Sequence, residues 1–175
     1  MSIDVTASLL GEHLPVPREM ESTPRWLRWR LAPTKSGKSR KIPVSPSGRA
    51  VSVTDPESWG DYFDTLWTRR GDGLGFVLGE GIGGLDLDDS IDSSGRVAGW
   101  AQEVLDANPN TFKEVSQSGR GLHVWGHMDE APGRVIRDGV RKIEVYSVGR
   151  FLALGSAFPG SPLRLAPLVV PDGIL

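Results

Sequence analysis

The chain has no cysteine among its 175 residues, which removes disulfides, thiolate zinc sites and cysteine nucleophiles together. Any metal it binds must be held by oxygen or imidazole. It also lacks an apolar run long enough to span a bilayer. Residues Met1 to Leu10 carry Asp4 and lack the basic start and long apolar centre of a secretory signal. The expected location is therefore the cytoplasm. Acidic charge is missing from Ser22 to Thr54, where Arg25, Arg28, Arg30, Lys35, Lys38, Arg40, Lys41 and Arg49 stand without an Asp or Glu. A net charge of −2 thus hides a positive segment set against an acidic remainder. Interleaved with Trp26 and Trp29, this segment fits contact with a nucleic-acid backbone, and it fits equally the solvated face of a surface hairpin.

What is present fits an ordinary globular chain of 38% hydrophobic and 24% charged residues, enough for one domain or two small lobes sharing a core. Arg25–Leu31 (R-W-L-R-W-R-L) and R-K-I-P-V predict a β-hairpin joined by a K-S-G-K-S turn. From Thr54, a capping box with Glu57, Pro56 in the first turn and Arg69 and Arg70 at the end predict a helix whose Trp59, Phe63, Leu66 and Trp67 pack into the core. Two short strands follow, L-G-F-V-L and I-G-G-L-D-L-D, then a helix over residues 97–107 burying Val97, Trp100, Ala101, Val104 and Leu105. Further strands are expected at Thr111–Val115, Leu122–Gly126 and Lys142–Tyr146, the last pairing with Phe151–Leu154 across a turn at Ser147–Gly149. From Phe158 the chain is rich in proline and reads as irregular apart from a short L-R-L segment. Strands mixed with two helices predict an α+β fold.

Three elements carry chemistry. In L-D-L-D (85–88) the alternation of a strand sends Leu85 and Leu87 to the core and leaves Asp86 and Asp88 on the other face, about 6.5–7 Å apart. Two carboxylates so placed can converge on a divalent cation, and hard oxygen ligands select Mg²⁺ or Mn²⁺. Alone, the same pattern fits a solvated acidic loop. Asp89 falls on the opposite parity or beyond the strand and is left out of the chemistry. A calcium loop counted from Asp86 fails, with Ile91 at its sixth position and Val97 at its twelfth. In S-Q-S-G-R-G-L-H-V-W (116–125) a glycine-bracketed turn enters a strand whose Gly121, His123 and Trp125 share a face, and Ser118, Arg120 and His123 surround backbone suited to an anion. In R-K-I-E-V-Y (141–146) Glu144 shares a face with Lys142 and Tyr146, either as a ligand or in an ion pair with Arg141 or Lys142. A three-residue turn would set Arg150 opposite Tyr146. A-P-T-K-S-G-K-S (32–39) imitates a phosphate-binding loop but lacks its first glycine and its following helix. Lys35, Lys38, Arg40 and Lys41 remain as candidates for phosphate-backbone contacts.

In this order and spacing, L-D-L-D, S-G-R-G-L-H-V and I-E-V-Y resemble the archaeo-eukaryotic primase superfamily, above all the primase-polymerase domains of phage and plasmid replication proteins. W-x-W, K-I-P-V-S-P-S-G-R, T-D-P-E-S-W, G-L-G-F-V-L and G-R-F-L-A-L-G extend the likeness over about Trp26 to Gly155. The resemblance implies an RRM-like mixed or antiparallel catalytic sheet (about 81–157) packed against an N-terminal α/β lobe with the basic hairpin (about 1–80), a cleft between them, and a tail over 158–175. It implies Asp86, Asp88 and Glu144 as catalytic ligands of a pair of Mg²⁺ or Mn²⁺ ions, without zinc. Ser118, Gly119, Arg120, Gly121, His123 and Arg150 would contact the nucleotide. Implied partners are single-stranded DNA template and primer, nucleoside triphosphates, and a helicase and helical accessory region in a longer replication protein. Gln117 replaces a proline common in relatives, a change confined to the turn. Two other readings stand beside it: a metal-dependent nuclease, and a non-catalytic DNA-binding initiation module.

Overall fold

The protein is described by a computed structural model over residues 14–170, apart from 36, 38 and 46. In chain order its elements are α1 (Arg18–Glu21), β1 (Trp26–Pro33), β2 (Ser39–Val44), α2 (Tyr62–Trp67), β3 (Gly73–Val77), β4 (Ile82–Leu87), α3 (Gly99–Ala107), β5 (Lys113–Val115), β6 (Leu122–His127), β7 (Arg134–Asp138), β8 (Arg141–Tyr146), β9 (Phe151–Ala153) and β10 (Ser156–Ala157). The strands form a four-stranded sheet, β2-β1-β3-β9, and a six-stranded sheet, β10-β5-β6-β4-β8-β7. Their pairings are antiparallel. The fold is therefore α+β and rich in sheet, and among the described residues no helix is long and apolar enough to cross a membrane.

Strand alternation divides the six-stranded sheet into two buried faces. Leu85, Leu87, Leu122, Val124, Ile143 and Val145 point to one side, where α3 covers them with Trp100, Ala101, Val104 and Leu105. Trp125 and Tyr146 point to the other and meet Trp26, Tyr62 and Phe76 of the N-terminal part and Leu152 of β9 in a second core. Rings lock edge to face there: Trp26 with Tyr62 at 4.8 Å, Trp26 with Phe76 at 5.1 Å and Phe76 with Trp125 at 6.1 Å. Gly84 sits in register between Trp125 and Tyr146. A Cβ on it would lie 2.7 Å from Leu152 Cδ1, so the missing side chain is what admits β9 to that face.

The N-terminal hairpin forms as predicted, with Arg28 opposite Val44 and Pro33 opposite Ser39. β2 is an edge strand, where Pro43 removes no ladder bond that the sheet needs. The single helix expected from Thr54 is instead a 3₁₀ turn, Pro56–Ser58, followed by α2. Gly60 separates them by exchanging two backbone hydrogen bonds with Trp26, at 3.0 and 2.8 Å. The cap is Asp55, whose side chain accepts from Glu57 N–H at 3.1 Å, rather than Thr54. The buried face of α2 is also shifted: Tyr62 and Leu66 enter the core, while Phe63 and Trp67 are 46% and 58% exposed.

Two further differences concern strands. β7 went unpredicted, although Asp138-Gly139 is a strong hairpin signal; it pairs with β8 from Arg134 opposite Val145 to Asp138 opposite Arg141. With β4 on one side of β8 and β7 on the other, no edge is left for residues 151–153. They cross to the first sheet and pair with β3, not with Lys142–Tyr146. Just before the tail, β10 adds to β5, and Asn108 clasps Val169 of the tail through two hydrogen bonds of 2.7 and 2.8 Å. Leu66→Ala is expected to cost about 2–4 kcal/mol in chemical denaturation, and Trp67→Ala less than about 0.5 kcal/mol; equal losses would contradict the observed helix phase.

Candidate active site

Antiparallel pairing brings the predicted residues of three strands into one row. Asp86 on β4 lies directly opposite His123 on β6 and Glu144 on β8, and His123 in turn lies opposite Glu114 on β5. The row continues the face of Trp125, Gly84 and Tyr146, one pair beyond the core between the sheets. Leu85 and Leu87 hold β4 from behind, as the alternation requires.

His123 is almost wholly buried. Its Nδ1 is 2.7 Å from Glu114 Oε1 and its Nε2 is 3.6 Å from Asp86 Oδ1. Burial pushes the imidazole pKa down, but the hydrogen bond and charge of Glu114, with the charge of Asp86, reverse this and leave it above the ordinary value. The charged ring is favoured, with both nitrogens as donors. Asp86 is raised above the ordinary carboxylate value, chiefly by burial; His123 and Lys41 oppose the shift, while Asp88 and Glu144 reinforce it.

The remaining acids are held by cations and a phenol. Lys142 Nζ bridges Asp88 Oδ2 and Glu144 Oε1, the latter at 3.1 Å. Tyr146 donates to Glu144 Oε2 at 2.8 Å, and Arg150 Nη2 donates to the Tyr146 hydroxyl at 3.2 Å while its guanidinium lies 4.7 Å from the ring centre. Burial raises the Glu144 carboxyl, yet Tyr146, Lys142 and Arg150 together bring it below its usual value. The ion-pair reading of Glu144 thus holds in this structure, with Lys142 as its partner. Arg150 reaches Tyr146 as expected, but from the connection between the sheets and not across a hairpin.

Among the described residues, no three His, Asp or Glu side chains close into a metal-holding group. The donor chemistry nevertheless suits a hard cation: Asp88 and Glu144 converge on one ammonium, and Asp86 beside them is destabilised by their charge. Those three carboxylates would hold Mg²⁺ or Mn²⁺ in place of, or alongside, the Lys142 charge.

The Ser118–Gly121 turn packs against the end of β4, and Gly119 adopts φ +73°, a conformation open to glycine at little cost. Its amides are engaged internally: Gly119 N–H donates to Ser116 O at 2.9 Å, Arg120 N–H to Ser118 Oγ at 3.2 Å and Gly121 N–H to Ser116 Oγ at 3.2 Å. An anion docking here must displace serine hydroxyls. Arg120 is exposed and paired with Asp89 at 2.9 Å, which keeps Asp89 outside the row. A recess of about 570 Å³ beside it is lined by Asp89, Asp92, Arg96, Gly99 and others at the start of α3.

Of the basic hairpin, Lys41 alone acts electrostatically on both Asp86 and His123 among the described residues, and it lies 5.4 Å from the Trp29 ring centre. Lys35 and Arg40 are exposed, and Lys38 lies outside the described residues. Glu114 escaped sequence reasoning. Counting back across the Ser116–Gly121 turn from Leu122 opposite Val115 would have set it against His123.

No protein-family model matches the chain. Over 158 residues, 84% of its length, it is 32% identical to a DNA primase-polymerase of Nitratiruptor phage NrS-1. This likeness supports a primase-polymerase family relationship for the aligned region. The chain spans only 21% of that relative.

Because the folded-state pKa of Asp86 lies above that of the unfolded chain, its contribution favours the fold at acid pH and is lost as pH rises through the raised value. In EDTA, Asp86→Asn is therefore expected to melt at a higher temperature than the wild type near neutral pH, with the difference shrinking on acidification. Calorimetry across pH checks this; a lower melting temperature for the variant at neutral pH would contradict it.

Proposed function

We propose that the chain is the catalytic domain of a template-directed DNA primase-polymerase in the archaeo-eukaryotic primase superfamily, with the six-stranded sheet as its RRM-like catalytic sheet. The observation that carries the reading is the register that puts His123, Asp86 and Glu144 in one row, with Lys41 of the basic hairpin acting on His123 and Asp86. The likeness to the phage enzyme over 84% of the chain supports it. A helicase and a helical accessory region would lie beyond residues 1–175.

The reaction is in-line attack of a primer or initiating-nucleotide 3′-hydroxyl on the α-phosphate of a nucleoside triphosphate, with pyrophosphate leaving. Asp86, Asp88 and Glu144 would hold the divalent ions, with Lys142 paired to Asp88 and Glu144 beside them. Mg²⁺ or Mn²⁺ bound there would supply charge neutralisation at the transferring phosphate and a more acidic attacking hydroxyl. His123 Nε2 donates to the triphosphate from the buried side, and Arg150, already ordered over Tyr146, adds positive charge beside Glu144. Ser118 and Arg120 extend the anion contacts from the turn. Lys35, Lys38, Arg40 and Lys41 bind the template backbone, and the charge of Lys41 reaches Asp86 and His123.

The test is extension of primed and unprimed single-stranded DNA with labelled deoxynucleotides and Mn²⁺. Wild-type extension is expected, falling on the order of a thousandfold in Asp86→Ala with Asp88→Ala. No product from a folded wild type would refute polymerase activity for this chain, and shortened template would favour a nuclease. DNA binding unaltered by the double substitution, without synthesis, would favour the non-catalytic module. His123→Ala is expected to weaken triphosphate binding about tenfold while leaving Mn²⁺ affinity within about twofold, measured by calorimetric titration.

A further inference from the structure

Glu114 is an expensive residue for the place it occupies. Its side chain is fully buried on β5, and Oε2 has no hydrogen-bond partner among the described residues. An unpartnered buried oxygen costs free energy, and buried acids are often replaceable by neutral residues without loss of stability. Val115 beside it belongs to the core under α3, and no backbone group among the described residues bonds to the carboxyl. Its one partner among the described residues is His123.

That contact determines how the imidazole is presented. A carboxylate oxygen only accepts, so the 2.7 Å contact places the hydrogen on Nδ1. Committing Nδ1 to the interior leaves Nε2 on the side of Asp86. Trp125 packs edge to face against the ring at 6.1 Å and restricts its tilt. A histidine whose far nitrogen is bonded in this way loses the ring flip that would otherwise exchange its two nitrogens.

We propose that Glu114 is a positioning residue: it fixes His123 so that Nε2 is the sole ring atom offered to the phosphates of a nucleoside triphosphate beside Asp86. The role rests on the reading of the row as a nucleotide site. Glu114 touches neither substrate nor ion, and acts by restricting the ring before the nucleotide arrives, so that less orientational freedom is lost on binding.

The experiment pairs Glu114→Ala, which removes the acceptor, with Glu114→Gln, which keeps a carbonyl acceptor of the same shape. In ¹⁵N-histidine-labelled protein, the wild type and Glu114→Gln are expected to show a His123 Nδ1 proton that exchanges slowly with water, absent in Glu114→Ala. The dissociation constant for dATP with Mg²⁺ is expected to rise about tenfold in Glu114→Ala and less than about threefold in Glu114→Gln, with single-stranded DNA affinity unchanged in both. A merely structural role would lower the melting temperature of Glu114→Ala while folded protein bound dATP normally, and that result overturns the proposal. So does a wild-type Nδ1 without a hydrogen, or a Glu114→Gln variant as weak as Glu114→Ala, which would make charge rather than orientation the cause. If the wild type binds no dATP, the nucleotide-site reading falls, while the Nδ1 signal still decides whether Glu114 fixes the ring.

Discussion

The register of β4 between β6 and β8 is the constraint on which the site depends. Side chains of a strand alternate, so a slip of one residue would exchange the faces completely. Asp86 would then be driven among Trp100, Val104 and Leu105, and Leu85 and Leu87 would face the first sheet. Two independent ladders forbid this, since Leu85 is opposite both Val124 and Val145. Large apolar residues on both neighbours tie β4 to α3, while Gly84 admits Leu152 from the other side. The charged row inherits its geometry from these apolar contacts and contributes little to setting it.

Charge on that face has a cost that the structure distributes among specific partners. Asp86 has His123, Asp88 has Lys142, and Glu144 has Lys142 and Tyr146. Lys41 and Arg150 add positive charge from the first sheet and from the connection between sheets. The acids still repel one another through Asp86, whose carboxyl is raised, chiefly by burial, despite His123. A face under such load is a poor contributor to stability.

Asp86, His123 and Glu144 were legible in the sequence because each sits in a strand with apolar residues at the alternate positions, and Asp88, one residue past the end of β4, was legible from the same alternation. Alternation is a local property and survives errors elsewhere. Pairings across long stretches were not legible. Overlooking the Asp138-Gly139 hairpin left an edge of β8 apparently open, and Phe151–Leu154 was assigned to it. Helix phase failed where aromatic character stood in for burial: Trp67 is exposed, and Trp59 stacks under the Arg25 guanidinium at 4.2 Å. Glu114 is a case between these. Its strand was predicted, but its role appears only when the turn before His123 is counted as a hairpin.

β9 has a consequence for how the molecule is made. The first sheet takes three strands from residues 26–77 and its fourth from residues 151–153, so the N-terminal lobe cannot finish its sheet while the chain is still emerging. β3 waits with an unpaired edge until five of the six strands of the second sheet have been synthesised. The last two strands to appear therefore complete one sheet each, β9 the first and β10 the second, so neither sheet is finished before the chain has passed through both.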